Sequence, residues 1–163
     1  MKVVYTHEGV SKQATFDGTY NHVSGRNNFS PTLLESAIRA ILVQGEVSSV
    51  IYPNRPKAAS VQSESFVVAS IRGNLEDMQA YGTCTLLIGL YAKDAQSVKN
   101  GKRLGILQDK LMDWLPMSAD VYDGNNLIAS YEIDNAPYVF GDSSDDYGYH
   151  ARIIEFEILI KAL

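Results

Sequence analysis

The chain reads as an α+β fold: an antiparallel sheet with two helices packed on one face, preceded by an N-terminal arm. Three observations predict it. Two segments repeat apolar residues at three- and four-residue spacing, the mark of a helix with one buried stripe. The segments around them are β-branched runs of strand length. Their order is arm, helix, three strands, helix, three strands, and grouped strands between helices indicate α+β rather than alternating βαβ units. Residues 1–29 form the arm or an edge hairpin, and residues 30–163 a single α+β domain.

Residues 1–29 are polar and punctuated by Gly9, Gly18, Asn21, Gly25, Asn27 and Asn28, with short strand-like runs at Val3-Val4-Tyr5 and Ala14-Thr15-Phe16. The first helix opens at Ser30-Pro31, where a serine N-cap accepts an orphan amide and proline at the first position loses nothing. Leu34, Ala37, Ile38, Ile41 and Leu42 make its stripe, and Gly45 supplies the stop. Three extended runs follow: Val47 to Tyr52, ended by Pro53; Ser65 to Ile71; and Thr83 to Tyr91, with a loop from Arg72 to Tyr81. The last two runs are nearly continuous in apolar residues, as in strands covered on both faces.

A second helix is predicted over about 95–115, with Leu104, Leu107, Leu111, Trp114 and Leu115 inward and Pro116 as terminator. Asp123-Gly124-Asn125-Asn126 is a turn between Val121-Tyr122 and Leu127–Ile133, where Leu127, Ala129, Tyr131 and Ile133 alternate on one face. After a loop at 140–148, the longest strand covers about 149–161, with Ile154, Phe156, Ile158 and Ile160 alternating against Glu155 and Glu157. The expected core is Ile38, Ile41, Phe66, Val68, Leu86, Ile88, Leu107, Leu111, Phe156 and Ile158.

With 163 residues, 45% apolar and 20% charged, the composition is that of an ordinary globular protein. No apolar run reaches the roughly 18–20 residues of a membrane helix. Met1 to Glu8 lacks the apolar core of a signal peptide, and a lone cysteine, Cys84, fits a reducing compartment. The net charge of −5 is unevenly spread. Residues 1–81 balance seven basic against seven acidic side chains, whereas residues 82–163 hold seven against twelve. Within that half, 93–110 is basic and 120–157 is acidic, with nine carboxylates against Arg152 alone. Such a pattern is either a solvated surface or a pair of opposed patches that meet between subunits. The acidic balance argues against nonspecific DNA binding, which depends on neutralising phosphates.

No cluster dictates a chemistry. Cys84 lies in an apolar strand, away from the electropositive setting that a reactive thiolate needs. His7, His22 and His150 make no metal-binding spacing, and there is no Cys-x-x-Cys pair. Gly141-Asp142-Ser143-Ser144 resembles an esterase signature but comes without an assignable base or oxyanion hole, and reads as a turn. Asp142, Asp145 and Asp146 miss the oxygen spacing of a calcium loop and read as a hydrated acidic loop. Lys99-Asn100-Gly101-Lys102 lacks the glycine-rich segment of a phosphate loop. The expectation is no catalytic residue, no cofactor and no metal. The ten tyrosines carry more information, since tyrosine is favoured at protein interfaces.

From Ser30 to about Ala162 the chain resembles the tail terminator, or tail completion, proteins of long-tailed bacteriophages and their prophages. The resemblance rests on the order of several segments: the helix Leu33–Leu42, Val50-Ile51-Tyr52-Pro53, Phe66-Val67-Val68, and a long strand running into Tyr91-Ala92-Lys93-Asp94. Lys99-Asn100, an amphipathic helix ending at Trp114-Leu115, a hairpin and a closing strand complete it. Here the 29 N-terminal residues and a long 53–64 connection depart from the family pattern. The resemblance implies a non-enzymatic virion assembly protein that forms a ring, usually hexameric, capping the tail tube and joining it to the head. Its partners would be copies of itself and the tail tube and head–tail connector proteins, with no nucleic-acid readout and no membrane. It would work in the virion and in the bacterial cytoplasm during assembly. The candidate subunit interface comprises Tyr5, Phe16 and Tyr20 from the arm, Tyr52 and Arg55 from the connection, the basic Lys99, Lys102 and Arg103, and the acidic Asp142, Asp145 and Asp146. The alternative is a small bacterial cytoplasmic α+β enzyme or ligand-binding domain.

Overall fold

The computed structural model of the chain describes residues 1–18, 31–52, 63–73, 81–96, 98–144 and 148–162. In chain order the elements are β1 (Lys2–His7), β2 (Val10–Thr15), α1 (Pro31–Gln44), β3 (Ile51–Tyr52), β4 (Ser65–Arg72), β5 (Tyr81–Lys93), α2 (Gly101–Trp114), β6 (Ser118–Asp123), β7 (Asn126–Ile133), β8 (Tyr138–Val139), β9 (Ser143–Ser144) and β10 (Tyr149–Ala162).

This overturns the expected fold class. Among the described residues strand accounts for 53% and helix for 22%, so what is described is mostly sheet, and that sheet is a curled, mixed half-barrel rather than an antiparallel layer. Its strand order is β2-β1-β6-β7-β10-β5-β4-β3, with β8 and β9 pairing β10 off the main path. Two features explain the difference. First, of the two readings of the N-terminal segment, residues 1–15 form the edge hairpin and not a free arm, and that hairpin joins the main sheet. Glu8 and Gly9, with φ of 50° and 74°, close a two-residue turn between β1 and β2, and only glycine takes such a φ without strain. β1 then pairs β6 from Lys2↔Tyr122 to Tyr5↔Ala119, which buries Val3 and Tyr5. Second, β3 runs parallel to β4 (Ile51↔Val67, Tyr52↔Val68), because the 53–64 interval supplies the length that a parallel return needs.

The centre of the sheet is β5 against β10, paired without interruption from Tyr149↔Lys93 to Lys161↔Tyr81. Strands of 13 and 14 residues accumulate the right-handed twist of every β-strand, and the sheet curls with them. The inward residues Leu86, Ile88, Leu90, Ile154, Phe156, Ile158 and Ile160 join Leu34, Ile38, Ile41 and Leu42 of α1 and Leu104, Leu107 and Leu111 of α2 in one core. Phe66 and Val68, also expected in the core, sit instead in a second cluster with Tyr91, Tyr149 and Ala151. Strand alternation assigns that cluster to the outer face of β4, β5 and β10, since Val67 and Ala69 of β4 belong to the main core. All ten predicted core residues are buried.

Local departures have local causes. α1 follows its stripe, but its end is not made by Gly45 in the left-handed region: Glu46 holds that conformation (φ 49°), while the Gly45 amide still bonds the Ile41 carbonyl at 3.0 Å. The expected Ser30 cap lies outside the described residues. α2 begins at Gly101, not near 95, because the Asn100 side chain accepts the Arg103 amide at 3.1 Å and caps it there. In β7 a bulge between Val121 and Tyr122 of the partner strand shifts the register. Ile128 therefore turns inward, and Leu127 is exposed against expectation.

Among the described residues, no helix is long and apolar enough to cross a membrane.

Candidate functional site

Where β10 begins, the inner face of the sheet turns polar and meets the start of α2. Arg152 Nε and Nη2 donate to Asp142 Oδ1 and Oδ2 at 2.6 and 2.9 Å, and Arg152 Nη1 donates to Gln108 Oε1 at 2.8 Å. Lys99 adds a second cation to Asp142. This bidentate pairing, at a carboxylate only 6% exposed, holds the Asp142 acid down at about 2 and raises Arg152 above its ordinary value. Next to it, His150 Nδ1 contacts Asp94 Oδ1. The Asp142 carboxylate is fully taken up by two cations, and what the cluster does is pin the 140–144 loop to β10 and, through Gln108, to α2. Pinning has a visible result. Ser143 and Ser144, read from sequence as a turn, form β9 by pairing Ala151 and His150.

At the opposite end of α2, Trp114 is enclosed by polar and aromatic groups. Its Nε1 donates to the Ile41 carbonyl at 2.8 Å, the His7 ring lies 4.0 Å from its ring, and Lys12 Nζ sits 5.1 Å above it. Tyr5 donates to Gln44 Oε1 at 2.6 Å. Gly45 makes this packing possible, since a Cβ there would lie 2.2 Å from the indole. Cys84 is buried, and burial pushes its thiol up to about 11. At neutral pH it is a protonated packing residue rather than a nucleophile.

Three surface features remain. A groove of about 470 Å³ runs between the end of α1 and the outer side of α2, with Val43, Val47, Ile106 and Leu107 as apolar lining and Arg103 and Lys110 as cations. A second, of about 460 Å³, lies between α1 and β2. On β8 and just after it, Tyr138, Val139 and Phe140 are 63, 42 and 40% exposed, and the Tyr138 and Phe140 rings meet edge to face at 4.7 Å.

The structure disperses the residues singled out from sequence. Tyr5 is a buried core residue and Phe16 packs half-buried against the core. Tyr52 stands edge-on to Phe66 at 5.6 Å beside the outer-face cluster. Lys99 and Asp142 are brought together with each other. Lys102 and Arg103 are exposed on α2, and Arg103 Nε donates to the buried Ser65 hydroxyl at 3.2 Å. Tyr20, Arg55, Asp145 and Asp146 lie outside the described residues. The residues missed are Tyr138 and Phe140 with Ile106 and Val43. A usable signal was present: Tyr138-Val139-Phe140 is a consecutive apolar run, and alternation cannot hide all three side chains on one side of a strand. Compared with known proteins, the chain matches no protein-family model and no curated protein.

Proposed function

We propose that the chain is a non-enzymatic virion assembly protein of a bacteriophage or prophage, resembling a tail terminator, whose copies form a ring that caps the tail tube and joins it to the head. The observation that carries this reading is the exposed pair Tyr138 and Phe140 on and just after β8, a strand that among the described residues pairs β10 alone. Two exposed aromatic rings packed edge to face beside an open strand edge are an interaction surface in waiting. The order of elements that resembles the tail terminators supports the same reading. So does the opposite charge of the α1–α2 groove, with Arg103 and Lys110, and the outer face of β7 and β10, with Glu132, Glu155 and Glu157, since complementary potentials fix register and suppress wrong contacts. The mechanism is geometric. A head-to-tail contact that closes on itself gives a ring, one face of which seats on the tail tube while the other receives the connector. Its setting is the host cytoplasm during assembly and then the virion. The test is light scattering of the chain alone and with the tail tube protein, with electron microscopy of the mixture. Rings, or capped tubes, are expected. A chain that stays monomeric and leaves the tube protein unbound refutes the reading and passes the α1–α2 groove to a small-ligand role.

A further inference from the structure

Two of the three surface features, the α1–α2 groove and the Tyr138–Phe140 patch, are complementary in polarity and charge. Tyr138 and Phe140 are two apart on an extended segment and so share one face of it. Tyr138 pairs Glu155 across the strands, and cross-strand partners share a face, so the two rings stand on the outer side of the sheet. The same side carries Glu157 and, through the Leu159↔Glu132 pairing, Glu132. The knob is therefore aromatic at its centre and acidic around it. The groove between α1 and α2 is its converse: Val43 and Ile106, 57 and 40% exposed, form an apolar rim, flanked by Arg103 and Lys110 against the single carboxylate of Glu46. At about 470 Å³ it falls within the ~300–1,000 Å³ of sites that seat a compact group. The groove faces α1, whereas Gln108 of α2 reaches the opposite way to Arg152 beside β8 and β9. Both helices pack on the inward residues of the sheet while the two rings stand on its outer side, so one chain presents groove and knob on opposite faces.

We propose that the occupant of the α1–α2 groove is the Tyr138–Phe140 knob of a second copy of this chain, docked head to tail. The contact rests on the assembly reading above and names the surfaces by which copies meet. Because the two surfaces differ, each bound copy leaves one groove and one knob free, so association continues until it closes. The charged rim makes the contact salt-sensitive as the Debye length falls from ~10 Å at 0.1 M to ~3 Å at 1 M, while the aromatic centre persists.

The experiment uses two full-length variants changed only at exposed positions, each first checked by its melting curve. One blocks the groove (Ile106→Glu with Lys110→Glu), and the other removes the knob (Tyr138→Ser with Phe140→Ser). Wild type is expected to self-associate, and each variant alone to do so at least about thirtyfold more weakly, the size of a lost aromatic anchor. Mixed together, the variants should give a 1:1 dimer that grows no further, since only one intact groove and one intact knob remain. A charge exchange, Lys110→Glu rescued by Glu155→Lys in the same chain, isolates the electrostatic part. Wild-type oligomers that survive both variants, or variants that fail to pair when mixed, overturn this contact and leave the assembly reading standing. A wild type monomeric at about 1 mM overturns the contact as well. If that monomer still binds the tail tube protein, assembly stands with a different occupant in the groove; if it does not, both readings fall.

Discussion

Replacing Gly45 by alanine inverts an ordinary expectation. Gly45 does not lie at positive φ, and at such a site Gly→Ala normally stabilises by ~0.4–1 kcal/mol by narrowing the unfolded ensemble. Here the added methyl would stand 2.2 Å from Trp114 Cδ1 and Cγ and 2.4 Å from Cδ2. Real Cβ atoms do not approach ring carbons so closely, and the ring cannot simply swing aside. It is held by Nε1 donating to the Ile41 carbonyl at 2.8 Å and packed against His7. Relief requires either a backbone shift at the end of α1 or loss of the indole hydrogen bond. Overpacking of this kind costs ~1–3 kcal/mol, and a broken hydrogen bond about 1 more. After the entropic gain is subtracted, Gly45→Ala should lose about 1–3 kcal/mol. At roughly 2–4 °C per kcal/mol for a chain of this size, that is a melting-point drop of ~3–10 °C. Circular dichroism follows the melt, and Trp114, the single tryptophan, reports its own environment by fluorescence. In a Trp114→Ala background the alanine at position 45 should cost nothing or stabilise. A melting point for Gly45→Ala equal to or above wild type sinks the argument.

Four further outcomes are expected. Ile158→Ala, in the middle of the core with no exposure, should cost ~2–5 kcal/mol in a denaturant titration, and a loss near zero means β10 is misplaced. Asp142, lowered from 3.8 to about 2 by Arg152 and Lys99, binds its proton less readily folded than unfolded. It should contribute about 2 kcal/mol above pH ~4, lost as pH falls towards 2, and Asp142→Asn should flatten that part of the stability–pH curve. Cys84 should resist iodoacetamide at pH 8 in the folded chain and react on unfolding, so fast labelling of native protein contradicts its burial. Tyr131→Phe should be neutral or stabilise by ~1 kcal/mol, because its buried hydroxyl has no hydrogen-bond partner among the described residues; a clear destabilisation shows that water satisfies it.

What could be read from the chain is what local chemistry decides. The stripe of α1 and the termination of α2 before Pro116 need only neighbours within a few residues, and so does the burial of Cys84 in its apolar run. Strand partners do not follow from local pattern. The sequence leaves β1 between an arm and an edge hairpin because only Val3 and Tyr5 face the core, and their burial depends on β6, more than a hundred residues later. The parallel docking of β3 depends on two residues, and the bulge that exchanges Leu127 for Ile128 depends on the partner strand. Each moves the structure away from a flat antiparallel layer, so the fold class failed where pairing is long-range.

Charge was legible in amount but not in pairing. Basic 93–110 and acidic 120–157 suggested contacts between subunits, yet Lys99, Asp142 and Arg152 satisfy one another inside the chain. That pairing narrows the question. Asp142 is already taken up by two cations, so steering between copies falls to side chains without an ion-pair partner among the described residues: Lys102, Arg103 and Lys110 on α2, where Asp109 and Asp113 are also exposed, and Glu132, Asp134, Glu155 and Glu157 around the outer sheet face. These are the positions where a change of sign should alter association without altering the fold.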